Sequence, residues 1–154
     1  MRYLTLAAAA ILSLETAAIA CSCINTDDPV ELRRLAGETA KDAVALVEVE
    51  VVRPYDRTTG EGETMRVVRV LAGNAPASFR VPRTHPPSSA SCDIDYRARQ
   101  RDEVILYPAT GSAPSSPPAF RTSGLCSDHL LDKPEFRNTL IMQLQARSGR
   151  GERG

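Results

Sequence analysis

Four cysteines, placed as a close pair and two distant singletons, constrain this 154-residue chain more than any other feature. Cys21 and Cys23 flank Ser22, while Cys92 and Cys126 lie far downstream. Ala18-Ile19-Ala20, directly before Cys21, reads as a signal-peptidase site. Arg2 and a short apolar run from Thr5 to Leu14 precede it, which predicts a signal peptide over residues 1–20. The run is too short and too rich in alanine to span a bilayer comfortably. A cut after Ala20 leaves a mature chain that begins on Cys21 with a free α-amine. Four cysteines in an exported chain predict disulfides made in an oxidising compartment, periplasmic or extracellular. Sequence alone leaves their pairing open. A bridge from Cys21 to either distant cysteine clamps the first mature residue against the folded body.

Residues 21–147 suit a single domain, and the polar residues 148–154 are expected to be a disordered tail. Formal net charge is zero and tryptophan is absent. With no basic patch either, the composition argues against nucleic acid as a partner. No segment after residue 20 is apolar enough to be an integral membrane span.

The elements follow from periodicity and punctuation. Asp28 as N-cap, Pro29 at the first helical position and Glu31 as the other half of a capping box predict a short helix from Pro29 to Leu35, stopped by Gly37. In Ala43 to Val52, Val47, Val49 and Val51 alternate with Glu48, Glu50 and Val52, the period of a half-buried strand. Residues 57–62 form a loop, and Glu63 to Leu71 a second strand with Met65, Val67 and Arg69 on one face. A third strand covers Ser78 to Arg83. Thr84 to Ser91 is a loop stiffened by two prolines. Asp93 to Tyr96 is a weak strand, Glu103 to Tyr107 a central one, and Phe120 to Leu125 the last. Asp132 with Glu135 then starts a helix whose stripe is Phe136, Leu140, Ile141 and Leu144. The predicted fold is mainly β: a five- to six-stranded Greek-key barrel of the OB type, with a short N-terminal and a C-terminal helix.

Chemistry-bearing residues are sparse. His85 and His129 are the only histidines, and each reads as a loop residue rather than a ligand. Glu48 and Glu50 share a strand face and read as a solvated surface rather than paired catalytic acids. No nucleophile has a base and orienter near it in sequence. The chain is therefore not expected to be an enzyme or to hold a cofactor.

Several pieces together resemble the inhibitory N-terminal domain of the tissue inhibitors of metalloproteinases, within the netrin-like group. They are CSC at Cys21 to Cys23, VVRVLAG at Val67 to Gly73, PPSSASC at Pro86 to Cys92, EVILYPATG at Glu103 to Gly111 and TSGLC at Thr122 to Cys126. The chain lacks the family's further cysteine pair and its C-terminal subdomain, and Asp93 stands where a glycine usually follows the third cysteine. The resemblance implies an OB fold, with Cys21 bridged to Cys92 and Cys23 to Cys126.

It also implies a partner, a zinc metalloprotease. Such an enzyme keeps one zinc position open for water. The α-amine and carbonyl oxygen of Cys21 would chelate that zinc in place of the water. The α-amine has a reference pKa of about 8, so its neutral form is accessible near neutral pH. Ser22 would enter the pocket beyond the scissile bond, Cys23 would follow it, and Ser88, Ser89, Ala90 and Ser91 would form an adjoining edge. The competing reading is a non-inhibitory exported binding or structural module, whose bridges act as staples worth about 4 kcal/mol each in the chain-entropy model. A variant of it is a lipoprotein anchored through Cys21.

Overall fold

The computed structural model describes residues 23–87, 92–109 and 117–151, with the backbone alone at 150 and 151. The architecture is a mixed α/β domain: a five-stranded antiparallel sheet flanked by helices. In chain order the elements are α1 (Pro29–Asp42), β1 (Ala45–Arg53), β2 (Glu63–Gly73), β3 (Ser78–Val81), β4 (Arg101–Pro108), β5 (Phe120–Thr122), α2 (Leu125–Leu131) and α3 (Pro134–Gly151). The expectation of a mainly β chain is corrected in three places, because α1 is twice as long, α2 is new and α3 runs further.

Asp28 caps α1 as expected, its Oδ1 accepting from the Val30 N–H at 3.0 Å. The capping box does not form. Glu31 turns instead to Arg34, and the Asp28 N–H donates to Thr26 Oγ1. Nor does Gly37 stop the helix. Leu32, Ala36 and Ala40 make a buried stripe at four-residue spacing, and burying it carries the helix on to Asp42. Arg147 of α3 then donates to the terminal carbonyls of Ala40, Lys41 and Ala43, which have no partner within the helix. The end of α3 is thus structural, and the helix continues to Gly151, past the point where the sequence suggested it would fade.

The strand order is β3-β2-β1-β4-β5. β1 lies between β2 and β4 and is buried on both faces at its start. Val47, Val49 and Val51 point to one side, with Met65, Phe79, Val104 and Leu106. Leu46 points to the other, with Ala72 and Ile105, under Phe136, Leu140 and Leu144 of α3 and the α1 stripe. Three residues are skipped in the β1–β2 ladder: Val68 and Leu71 on β2 and Val52 on β1. Each such bulge bends the pair and flips the parity of the residues beyond it. Arg69 therefore does not share the face of Met65. It joins Arg66 on the outer face, where the two pair with Glu48 and Glu50. Asp93 to Tyr96 forms no strand.

The outer strands approach each other. Phe79 and Phe120 meet edge to face at 5.8 Å, the Arg80 N–H donates to Pro118 O at 2.8 Å, and Arg80 and Ala119 form one isolated parallel bridge. No continuous ladder joins β3 to β5 among the described residues, so the sheet is open rather than a closed barrel.

Candidate functional site

The first described residues, Cys23 to Asp28, have no regular secondary structure and lie along α2. Cys23 is disulfide-bonded to Cys126, the pairing implied by the resemblance. Two residues on, Asn25 Oδ1 is 3.4 Å from His129 Nε2. Two further on, Asp27 accepts from the Lys133 ammonium at 2.6 Å, and that charge holds its carboxyl below the usual range. Alternate residues of this strap thus meet Cys126 and His129, three apart on α2, and Lys133 in the turn that follows it. The strap ends at Asp28, the cap of α1, so the N-terminal segment is fixed at both ends.

Cys92 comes to the same place. Its carbonyl accepts from the Leu125 N–H at 3.1 Å, at the start of α2. This approach requires a glycine at 124, where a Cβ would sit 2.6 Å from Cys92 O. Cys92 itself holds a left-handed backbone, φ 57°, a conformation rare outside glycine and kept only where surroundings enforce it. Cys92 is disulfide-bonded, and its expected partner, Cys21, lies outside the described residues. Ser22, Ser88, Ser89, Ala90 and Ser91 also lie outside them, as does the expected tail over residues 152–154.

The described residues on either side of 88–91 are held in place. Pro87 is buried before it. After it, Asp93 accepts from Arg83 at 2.6 Å. Arg83, 9% exposed, also makes a two-pronged pair with Glu63, 0% exposed, at 2.9 and 3.0 Å. Both carboxylates share one guanidinium whose fork geometry suits them. His85 is exposed and stands 3.4 Å from the other oxygen of Asp93. Beside this network a cavity of about 620 Å³ opens between the β3 end and α2, lined by Arg83, His85, Asp93, Gly124 and Ser127 among others.

Behind α2, Ser123 donates to Asp128 at 3.4 Å and its Oγ accepts from the Ile105 N–H. Burial, and then the charge of Asp102, push the Asp128 carboxyl up to about 7. The Asp102 carboxyl is raised by its own burial as well.

The residues that build this region were mostly not singled out by sequence. His129 is on a helix, not a loop, because the segment expected to end a strand at Leu125 turns into α2 after Thr122. Asp132 is the C-cap of α2, and Pro134 begins α3. The one local signal for the strap was Cys126 and His129, three residues apart. Arg83 and Glu63 are 20 residues apart and carry no such signal. Glu48 and Glu50, read from sequence as a solvated face, lie partly exposed on the outer face of β1 and pair with Arg69 and Arg66.

Among the described residues no three of His, Cys, Asp and Glu are grouped to hold a metal ion, and no helix is long and apolar enough to cross a membrane. No family model, no curated protein and no solved structure matches the chain.

Proposed function

We propose that this chain is an exported protein inhibitor of zinc metalloproteases, acting through the amine and carbonyl of a mature N-terminal Cys21. The observation that carries this reading is the strap. Two residues after Cys21, the Cys23–Cys126 bridge fixes the chain to α2, Asn25 meets His129 of the same helix, and Asp27 pairs with Lys133 just beyond its end. A chelating end tethered this way loses little freedom on binding, which favours affinity. Cys92, whose carbonyl meets the start of α2 near the Cys23–Cys126 bridge, supports the reading that the adjoining 88–91 segment serves as the edge beside that end. The strand order, the bulges and the Arg80–Ala119 bridge support a partly open Greek-key barrel of the OB type beneath it.

The test is one alanine added before mature Cys21. It converts the amine to an amide, a poor zinc ligand, and leaves the strap, sheet and helices alone. Against a panel of zinc endopeptidases, the unextended chain is expected to inhibit and the extended chain not to, with equal melting temperatures. Ser22→Gly is expected to weaken binding without abolishing it. Equal inhibition by both forms would discard chelation. No inhibition by either would leave a binding or structural module.

A further inference from the structure

The sheet gathers a basic face that a reading along the chain does not show. Arg66 and Arg69 of β2 and Arg101 of β4 stand over two carboxylates of β1. Arg66 is 2.8 Å from Glu50, Arg101 is 3.7 Å from the same glutamate, and Arg69 is 3.2 Å from Glu48. Arg99 joins them from the turn before β4. Its N–H donates to Val51 O at 2.8 Å, and its backbone is left-handed, φ 63°, a conformation uncommon outside glycine. Among the described residues no carboxylate lies within ion-pair distance of Arg99. The Arg66 side chain first, with Arg101 and Arg99 adding to it, holds the Glu50 carboxyl below its usual range. Glu103, opposite Glu48 on the same face, is already paired with Arg137 of α3.

Layering decides the sign of this surface. The Glu48 and Glu50 side chains are recessed, 25% and 20% exposed, while those of Arg66, Arg69 and Arg101 are 60%, 64% and 62% exposed. An approaching partner therefore meets guanidiniums before carboxylates, and Arg99 adds to the surplus, on a chain whose net charge is zero. A second observation is apolar and independent of the charges. Val52 and Val68, the residues skipped on β1 and on β2 beside Arg69, are 58% and 42% exposed. A bulge leaves its residue out of the ladder, and here two bulges turn valines to solvent in the same stretch of sheet.

We propose that this face of β1, β2 and β4 seats on an anionic membrane surface, its arginines meeting lipid phosphates and Val52 and Val68 entering the interface. A guanidinium presents a planar fork of donors that pairs with two phosphate oxygens at once. Long arginine stems can lie along an apolar layer while their charges stay in the headgroup region. A basic surface interleaved with apolar side chains uses both features at a lipid interface, where charge attraction and apolar burial add. A soluble polyanion would engage the arginines and leave the valines in water. The face belongs to the sheet and the strap to α2, so the proposal stands whether or not the chain inhibits a protease.

The test is flotation of the full mature chain with vesicles of equal parts phosphatidylcholine and phosphatidylglycerol, beside vesicles of phosphatidylcholine alone. Binding is expected to the anionic vesicles only, and to weaken as salt is raised. Arg66→Gln combined with Arg69→Gln is expected to weaken it about 25-fold, the product of about fivefold for each arginine. That variant also strips Glu48 and Glu50 of partners, so Arg99→Asn is the milder second variant. It breaks no ion pair among the described residues, asparagine tolerates the left-handed backbone, and about fivefold weakening is expected. Val52→Ser combined with Val68→Ser is expected to weaken binding about threefold or more with charge unchanged. Arg34→Gln, on α1, is expected to leave binding as it was. Equal binding to both kinds of vesicle, as a lipid chain on Cys21 would give, would overturn the proposal. So would no binding to either, or equal weakening by Arg34→Gln and Arg99→Asn. Binding to soluble polyphosphate as tight as to vesicles, with the valine variant unaltered, would replace the membrane with a soluble polyanion.

Discussion

Asp128 is a carboxyl held on the protonated side of its ordinary behaviour. Burial and the neighbouring Asp102 push it up to about 7, so the folded chain takes up a proton that the unfolded chain releases at the usual carboxylate value of about 4. Folded-state stability contributed here is therefore full below that window and declines as pH rises through it, up to about pH 7. Asp27, Glu31, Glu50 and Asp56 are shifted down by the Lys133, Arg34 and Arg66 side chains and by turn N–H groups, and act in the opposite sense below the ordinary carboxylate range. Together these shifts predict greatest stability near about pH 5 rather than at neutrality. Urea melts across the range should show this, and Asp128→Asn should remove much of the decline toward neutral pH. A wild-type profile flat from pH 5 to 8 would contradict the burial of that carboxyl.

Among the elements, α1 shows how a helix outlasts its own stop signal. Gly37 sits in its interior, and a Cβ built there meets nothing within 4 Å. Its backbone is not in the left-handed region, so glycine contributes only excess freedom to the unfolded chain. Gly37→Ala should stabilise the domain by about 0.5–1 kcal/mol, read as a higher urea midpoint with unchanged slope. Gly124→Ala is the contrasting case. Its Cβ would press on Cys92 O at 2.6 Å, so the α2 start or the Cys92 turn must shift. A loss of about 1–3 kcal/mol is expected, and the same melts measure it. If both substitutions behaved alike, the close approach at 124 would not exist in solution.

For the whole molecule, the long-range links converge on the helices. Cys23–Cys126 spans a separation of 103 residues, and the strap, Arg33–Glu135 and the Arg147 cap all join the first third of the chain to its last quarter. Cross-linking so large a loop restricts the unfolded chain strongly. Replacing both cysteines by alanine should cost about 2–5 kcal/mol in equilibrium unfolding. The sheet should persist in that variant, because its two apolar faces do not depend on the bridge. The far-ultraviolet spectrum would register any loss of it.

Much of this fold is written in short-range patterns. Alternation in Ala45–Arg53, the apolar run at Val104 to Leu106, the Asp28 cap and the Phe136, Leu140, Leu144 stripe all appear in the structure with their expected type, because each depends on neighbours within a turn or a strand. The Cys23–Cys126 pairing came from resemblance rather than from any local pattern. What tertiary structure decided has partners too far away for periodicity to carry. The bulge at Val68 moved Arg69 to the other face, since parity depends on register with β1. Packing of Ala36 and Ala40 overrode Gly37. The segment after Thr122 became α2 because Cys23 and Asn25 hold its outer side while its Leu131 packs into the core with Phe136 and Leu140. Local propensity weighs a few tenths of a kcal/mol per residue, and burial with long-range pairing outweighs it wherever the two disagree.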